Sequence, residues 1–222
     1  MQIREMFDQI HKRYDMLNHL MSAGRDIAWR RFCCEKLPKK ENTVVLDLCG
    51  GTGDFSIAFK KKYGLPKLSI VGDFAGKMLD AAEKKDSELA PVQMDATNIP
   101  LVCESVDFVL NGFGMRNIQN LDLAFSEAFR VLKKGGYFAT VEFFKPERRI
   151  PTLFYKRIAS LALPFAGMIF SKRNAYRYLV LSILNFISPH EYAAHARAAG
   201  FTLRCIKALD GGLAYMVLLE KK

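Results

Sequence analysis

"VVLDLCGGTGDF", residues 44–55, decides the fold of this chain. A β-branched run reaches Asp47, a glycine-rich turn follows it, and a helix-like pattern begins at Asp54. A strand that stops at such a turn and continues as a helix is typical of folds that hold a nucleotide-like ligand at the turn. The stretch therefore predicts a strand–turn–helix unit of an α/β protein.

The rest of the chain continues the alternation of strands and helices. Helices are predicted within 3–36 and over 54–63, 76–85, 120–134 and 188–200, and strands over 43–48, 67–72, 90–96, 106–113, 137–144, 202–209 and 214–221. Strands separated by helices are expected to be parallel, whereas the last two strands, joined through Asp210-Gly211-Gly212, form a hairpin. We expect a doubly wound, Rossmann-like α/β sheet of about seven mostly parallel strands, with an antiparallel C-terminal hairpin and ligand sites at the strand carboxyl ends.

Length and composition suit a single globular domain, because the 222 residues are 50% hydrophobic and 25% charged. Five cysteines without a C-x-x-C pair, and a start without a signal-peptide pattern, favour a reducing, cytoplasmic compartment. Four histidines without zinc-ligand spacing predict no metal. Within the single domain 1–222 we expect a helical cap over 1–40 and a cofactor-binding core over 41–146. A basic apolar lid is expected over 147–187, and a final helix with the hairpin over 188–222.

Charge at the glycine turn argues against a phosphate ligand. The dinucleotide fingerprint G-x-G-x-x-G is incomplete, because Ser56 stands at its last position. Asp54 falls in the first turn of the helix, where a bound pyrophosphate would meet a carboxylate. Two like charges about 4 Å apart at an effective dielectric constant of about 20 repel by about 4 kcal/mol. No Gly-Lys-Ser/Thr follows, so a Walker loop is excluded as well.

A cationic, phosphate-free ligand suits the same residues. S-adenosylmethionine carries a sulfonium, an ammonium and an adenosine. The backbone amides of Gly51–Gly53 can meet its carboxylate, and Asp47 or Asp54 can meet its cationic end. Asp73, at the end of the second strand, can accept both ribose hydroxyls, while Asp95-Ala96 can bind the adenine amino group and pack its ring.

Each of these residues also has a purely structural interpretation. A glycine pair is most often a plain turn, and an aspartate at a helix start is usually a cap. Three carboxylates at the ends of three successive predicted strands, Asp47, Asp73 and Asp95, favour one shared ligand site over three unrelated structural roles.

Further motifs carry a resemblance to a known family. They are "MFDQIHKRYDMLNHLMSAG" with Trp29, "LDLCGGTGD", "FGMRN", "RVLKKGG", "VEFFKP" and "YRYLVLSI". Through these motifs the chain resembles, over nearly its full length, the C-methyltransferases of menaquinone and ubiquinone biosynthesis. These enzymes belong to the class I superfamily of S-adenosylmethionine-dependent methyltransferases.

The resemblance implies methyl transfer from S-adenosylmethionine to a ring carbon of a polyprenylated hydroquinone. It implies cofactor contacts at Thr52, Asp73, Asp95 and Ala96, and it draws attention to Gly112, which stands where a cofactor-contacting serine is common. Other departures from the family pattern are Cys49 for a small residue, Phe144 for serine, Leu181 for an acid, and the C-terminal "AYMVLLEKK". Naphthoquinol and benzoquinol both remain open as acceptors.

Carbon methylation needs a nucleophilic ring carbon, and a hydroquinone gains one when a hydroxyl loses its proton. Arg116 and Asn117 follow the fourth strand, on the rim where the acceptor is expected. We expect Arg116 to stabilise the developing phenolate and Asn117 to orient a hydroxyl; a surface salt bridge is the alternative for Arg116. The group that removes the proton stays open among Tyr14, Asp54, Tyr178 and His190.

The net charge of +10 is concentrated in one segment, because seven basic residues and no acidic ones lie between Arg148 and His190. Its longest charge-free stretch, 158–171, is too short for a transmembrane helix and is interrupted by Pro164. An interfacial segment that contacts anionic lipid and admits a lipid-tailed substrate fits, and places the protein at the inner face of the membrane. A helical lid that closes the core fits equally well, whereas nucleic-acid binding is disfavoured because base-stacking motifs are missing.

Other functions are weighed against quinone methylation. They are methylation of another small molecule by the same cofactor half, and a non-catalytic role in assembling quinone enzymes. The acids at positions 47, 54, 73 and 95 disfavour the assembly role, and Asp54 with Ser56 disfavours a nicotinamide oxidoreductase. A homo-oligomer is open.

Overall fold

The computed structural model describes residues 16, 18, 19, 22, 24–145 and 181–222. The beginning of the predicted N-terminal helices and most of the basic segment lie outside these residues, as do Tyr14 and Tyr178. The helices are α1 Arg25–Glu35, α2 Asp54–Tyr63, α3 Gly76–Lys85, α4 Leu121–Val131 and α5 Pro189–Ala198. The strands are β1 Val44–Leu48, β2 Leu68–Asp73, β3 Leu89–Gln93, β4 Val106–Gly112, β5 Leu132–Glu142, β6 Thr202–Leu209 and β7 Ala214–Glu220.

The strands form one seven-stranded sheet in the order β3-β2-β1-β4-β5-β7-β6. The first five strands are parallel to one another, and β7 runs antiparallel to both β5 and β6. The predicted fold class, with its antiparallel C-terminal hairpin, is confirmed. The chain crosses from β3 back over the sheet to β4, so a crevice opens beyond the carboxyl ends of β1 and β4, where ligands bind in such sheets.

Apolar side chains cover both faces of the sheet. On one face, Phe125 of α4 and Tyr192 of α5 are buried in a core that extends to Phe138 and Phe201. On the other face, α1 packs against α2, and its Trp29 is buried near Phe113 and Phe143. Strands covered on both sides are expected to be buried along most of their length, and β1 and β4 are.

The glycine pair after α4 does not end that helix, although the sequence predicts a helix to 134. The helix stops at Val131, and β5 begins at the next residue, because Leu132 pairs with Val106 at the start of β4. Gly135 has a φ of 70° and donates its N–H to the carbonyl of Lys221 at 2.7 Å. The pair therefore lies in an irregular strand segment.

Within the described residues, no helix combines the length and apolarity that crossing a bilayer requires. Nor do these residues contain a cluster of three or more side chains suited to hold a metal ion. All five cysteines are free thiols.

Candidate active site

The glycine turn between β1 and α2 is shaped by close backbone approach. A Cβ on Gly50 would lie 2.8 Å from the carboxyl carbon of Asp47 and 2.9 Å from a methyl of Val71. Gly53, the residue before α2, has a φ of 79°, which favours glycine, and a Cβ there would lie 2.7 Å from Leu89. Larger residues at either position would push the turn away from the sheet. The turn therefore lies directly against the sheet.

A cavity of about 330 Å³ opens beside this turn, at the carboxyl ends of β1, β2 and β3. Its polar side chains include those of Asp73, Asp95 and Asn117. Its wall also contains apolar or small residues, among them Leu48, Gly51, Phe74, Met78, Met94, Ala96 and Ile118. This combination of a few acids with an apolar wall suits a purine and a ribose rather than a phosphate chain.

Asp73 is held in place by backbone donors from two directions. Its Oδ2 accepts the N–H of Gly51 at 3.0 Å, and its Oδ1 accepts the N–H of Ala75 at 2.9 Å. The side chain is buried but lines the cavity. A carboxylate fixed in this way presents its remaining lone pairs in a defined direction toward a ligand.

Asp95 and Ala96 lie on the cavity wall beyond β3, at the far side from the turn. Asp95 is exposed, and its Oδ1 accepts the N–H and the hydroxyl of Thr97, both at 2.8 Å. Ala96 is buried and packs with Met94 and Ile99. The structure thus brings Gly51, Asp73, Asp95, Ala96 and Asn117 together on one cavity.

Asp47 lies beneath the turn and does not line this cavity. It is fully buried; its Oδ2 accepts the N–H of Ser56 at 2.9 Å, and its Oδ1 has no hydrogen-bond partner among the described residues. Burial raises the pKa of Asp47 to about 7. It borders a small space of about 10 Å³, enough for one water, together with Thr52, Asp54 and Gly112.

Asp54 is engaged by cations rather than free to act on a ligand. Its Oδ1 accepts from the ammonium of Lys85 at 2.6 Å, and its Oδ2 lies 3.9 Å from the guanidinium of Arg30. Lys85 also donates to the hydroxyl of Thr52 at 3.1 Å. The repulsion of phosphate that the sequence suggested for Asp54 is therefore offset by two cations, and the acidic character of the cavity at the strand ends depends on Asp73 and Asp95.

Arg116 lies in a different environment from the expected one. Its side chain is 1% exposed and pairs with the fully buried Glu142 at 2.6 Å. The same nitrogen donates to the carbonyl of Phe113 at 2.6 Å, and its Nε donates to Ser182 at 3.3 Å. The guanidinium is thus neither on the cavity wall nor in a surface salt bridge. It ties the loop after β4 to β5 and to the segment that contains Ser182.

Asn117, the neighbouring residue, does line the cavity. It closes a 3₁₀ turn, Met115–Asn117, and its side-chain amide donates to the carbonyl of Phe113 at 3.4 Å. Gly114 makes this turn possible, because a Cβ there would lie 2.5 Å from the Cβ of Cys49. Of the two expected catalytic residues, the structure places Asn117 at the site and Arg116 behind it.

Sequence reasoning did not identify two buried charged residues, one beside the glycine turn and one beside the loop after β4. Arg30 comes from α1, and Glu142 ends β5. Both are charged and buried, and charged side chains are rarely buried unless they are paired; here Arg30 pairs with Asp26 and Glu142 with Arg116. For Arg30 the available signal was the spacing of Asp26 and Arg30, four residues apart on one helix. His190, a candidate base, is exposed at the start of α5 and does not line the cavity.

Comparisons with known proteins identify the family of this chain. The model of the ubiE/COQ5 methyltransferase family matches residues 1–218. The ubiquinone/menaquinone biosynthesis C-methyltransferase UbiE of Sinorhizobium fredii is 34% identical over 221 residues, which cover 96% of this chain and 86% of the relative. The demethylmenaquinone methyltransferase of Staphylococcus aureus is 32% identical over 226 residues, which cover 100% and 93%. A SAM-dependent methyltransferase from Thermotoga maritima shares the fold, with a TM-score of 0.72 at 18% identity over 100% of both chains.

Proposed function

The chain belongs to the ubiE/COQ5 methyltransferase family, and from this premise we propose how its residues divide the work of methyl transfer. It is an S-adenosylmethionine-dependent C-methyltransferase of quinone biosynthesis. The acceptor that we propose is the ring of a lipid-tailed hydroquinone, either demethylmenaquinol or the corresponding benzoquinol.

The residues of the cavity fit S-adenosylmethionine in chemistry. Asp73, at the end of β2, is the acceptor for the two ribose hydroxyls, and its orientation is fixed by the amides of Gly51 and Ala75. Asp95 accepts the adenine amino group, while Ala96 lies against the ring. The observation that carries the proposal is the placement of Asp73 on a partly apolar cavity wall.

The methionine end of the cofactor is assigned to the other side of the turn. Gly53 and Thr52 shape that side, and Asp47, Asp54 and Gly112 border the small space beneath it. The unpartnered Oδ1 of Asp47 is a buried acceptor that an ammonium would satisfy. When bound, S-adenosylmethionine supplies an electrophilic methyl group.

The acceptor ring is assigned to the rim formed by the loop after β4. Asn117 lies on the cavity wall and orients a ring hydroxyl through its amide. Arg116 acts as a positioning residue, because its guanidinium holds the carbonyl of Phe113 and the carboxylate of Glu142. This role replaces the direct phenolate contact expected for Arg116. The base that removes the proton stays open, with Tyr14 and Tyr178 outside the described residues.

The basic segment 147–187 is the part of the chain that we assign to the lipid-tailed substrate. Its cations would meet anionic headgroups, and its aromatic and aliphatic residues would cover the site. We propose a cytoplasmic protein that associates peripherally with the inner face of the membrane.

The test is methyl transfer to defined acceptors. Purified protein is incubated with S-adenosylmethionine labelled in its methyl group and with detergent-dispersed demethylmenaquinol, a demethylated benzoquinol, a soluble phenol or an amine. We expect label on the ring carbon of a quinol, found by mass spectrometry, and little on the phenol or amine. Transfer only to soluble acceptors would assign a different small-molecule substrate. Cofactor binding without transfer to any acceptor would favour the assembly role.

A matched pair of variants tests the acceptor rim. Asn117→Ala is expected to lower transfer to the quinol and leave cofactor affinity nearly unchanged, because the amide contacts the acceptor. Asn120→Ala is the control, since Asn120 caps α4 through the N–H of Leu123 on the same cavity. Equal loss of turnover in both variants would contradict the role of Asn117.

A further inference from the structure

Another cavity, of about 410 Å³, lies between α1 and α2, and the proposed function gives it no role. From α1 it is lined by Ile27, Arg30 and Arg31, whose spacing of three and four residues places them on one face of the helix. From α2 it is lined by a matching stripe of residues, Asp54, Ile57, Ala58, Lys61 and Lys62. The cavity is therefore a groove between two facing helix surfaces, and we call it the α1–α2 groove.

Basic side chains dominate the lining of the α1–α2 groove. They are His19, Arg30, Arg31, Lys61 and Lys62. Asp54, the one acid among the described lining residues, is already engaged by Lys85 and lies near Arg30. Two helical turns, about 10 Å, separate Asp54 from Lys61 along α2. The end of the groove that Lys61 and Lys62 line is therefore positively charged.

The charges at this end of the groove are available to a ligand. Lys61 and Lys62 are both exposed, and neither makes an ion pair with a described residue. Lys60, the preceding residue, is bound to Asp86 and Glu88 instead and does not line the groove. An anion in the groove would therefore gain two ammonium groups without breaking an existing pair.

Apolar side chains accompany these cations. Ile27 is 61% exposed, and Ile57 and Ala58 are half-buried on the facing helix. A free phosphate would gain nothing from aliphatic side chains, whereas a phospholipid presents acyl chains directly beneath its phosphate. Cations next to exposed aliphatic residues are typical of surfaces that lie at a bilayer interface.

We propose that the α1–α2 groove binds the phosphate of an anionic phospholipid, with Lys61 and Lys62 on the headgroup and Ile27 at the acyl boundary. This inference goes beyond the proposed function, which assigns membrane contact to segment 147–187, and rests on it only in assuming a lipid-tailed acceptor. Arg30 and Asp54 border both the groove and the small space beneath the glycine turn, so the lipid lies next to the active site. Binding there holds the active site at the bilayer surface, where a lipid-tailed acceptor is found.

The rival account treats these lysines as solvated residues of a helix end. Lys61 and Lys62 lie in the last turn of α2, where cations complement the helix dipole. On that account membrane affinity follows net charge alone, and removing any two exposed lysines weakens it equally. The proposed site predicts that the loss depends on which lysines are removed.

The experiment measures co-sedimentation of the full chain with vesicles of phosphatidylcholine, with and without phosphatidylglycerol. Wild type is expected to bind the anionic vesicles in preference to the neutral ones. The double variant Lys61→Gln, Lys62→Gln should bind anionic vesicles about tenfold or more weakly, because each cation near an anionic surface contributes several-fold. The control, Lys67→Gln with Lys84→Gln, removes the same charge from two exposed lysines outside the groove and should weaken binding by about twofold at most.

A second pair of variants tests the apolar part of the site. Ile27→Ser should weaken binding to anionic vesicles several-fold, whereas Val102→Ser, at an exposed valine that does not line the groove, should leave it unchanged. Equal losses in the two lysine pairs, or equal binding of wild type to neutral and anionic vesicles, would overturn the assignment. Glycerol phosphate bound as tightly as the vesicles would assign the groove to a soluble phosphate ester and overturn it as well.

The proposed function is tested separately with the same proteins. With a detergent-dispersed quinol, the double variant of Lys61 and Lys62 should keep the methyl transfer of wild type, because neither lysine lines the cofactor cavity. With the quinol embedded in anionic vesicles, its transfer should fall in proportion to its binding. A wild-type protein that binds anionic vesicles through the groove but methylates no quinol would refute the proposed function and support the lipid site.

Discussion

Removing Arg116 should destabilise the protein far more than removing an exposed arginine. Its guanidinium is 1% exposed and its partner Glu142 is fully buried, 2.6 Å away. Arg116→Met keeps much of the volume but deletes the charge, and with it the cation that lies over the ring of Phe143. The variant loses the bonds to Glu142 and to the carbonyl of Phe113, and it leaves a carboxylate in the interior.

The expected loss follows from that stranded acid. Breaking a buried ion pair by removing one partner costs about 3–5 kcal/mol, because the remaining charge keeps its desolvation penalty without its attraction. Glu142 retains the backbone N–H of Phe143 at 2.7 Å, which places the loss at the lower end, about 3 kcal/mol. For a typical small domain this is a large part of the free energy of unfolding.

The loss should also depend on pH. Burial already raises the pKa of Glu142 above its ordinary value despite the nearby guanidinium. Without Arg116 that pKa rises further, so folded Glu142 binds a proton that the unfolded chain has released. An acid with a raised folded-state pKa loses stability as pH rises above the unfolded-state pKa. The deficit of Arg116→Met should therefore be larger at pH 8 than at pH 5.

Urea denaturation followed by circular dichroism measures these free energies. The set comprises Arg116→Met, Glu142→Gln, the double variant, and Arg31→Met as the control, since Arg31 pairs with Glu35 at the surface. The control should cost less than about 1 kcal/mol. The double variant should be more stable than the sum of the single losses predicts, because neither charge remains alone. A cost of Arg116→Met below about 1 kcal/mol, or additive losses, would refute the reasoning.

Three further predictions concern the turn and the cavity. Burial raises the pKa of folded Asp47 to about 7, whereas an unfolded aspartate titrates near 3.8, so the stability of the wild-type protein falls as the pH rises between these values. In urea titrations, Asp47→Asn should therefore be more stable than wild type by on the order of 4 kcal/mol at pH 8, and by almost nothing at pH 4. A Cβ at position 114 would lie 2.5 Å from a neighbouring Cβ, so Gly114→Ala should lower the free energy of unfolding by about 1–3 kcal/mol, measured by thermal unfolding. Gly76→Ala is the control and should lower it by nothing, because no atom lies within 4 Å of a Cβ there. Asp73→Asn should weaken the binding of S-adenosylhomocysteine about tenfold, measured by calorimetry, because an amide is a poorer acceptor for two hydroxyls. Asp80→Asn, on the exposed side of α3, is the control and should leave this affinity unchanged.

Much of the architecture could be predicted from local pattern. Apolar runs of strand length, the glycine turn at residues 50–53, and the capping box of α5 at Ser188 and Glu191 act over a few residues. The hairpin of β6 and β7 is likewise encoded by two strands with a short turn between them. The end of α4 was predicted wrongly, because the pairing of Leu132 with Val106 depends on a strand 26 positions away.

The sequence by itself determined the sheet, the glycine turn and the acids at its strand ends, because strand periodicity and turn chemistry are properties of neighbouring residues. Only the tertiary structure decided what each charged side chain faces. Asp54 meets Lys85 from α3, Arg116 meets Glu142 from β5, and Arg30 reaches the turn from α1. What a charge does depends on partners distant in sequence, and folding alone brings those partners within the few ångströms over which a buried charge acts strongly.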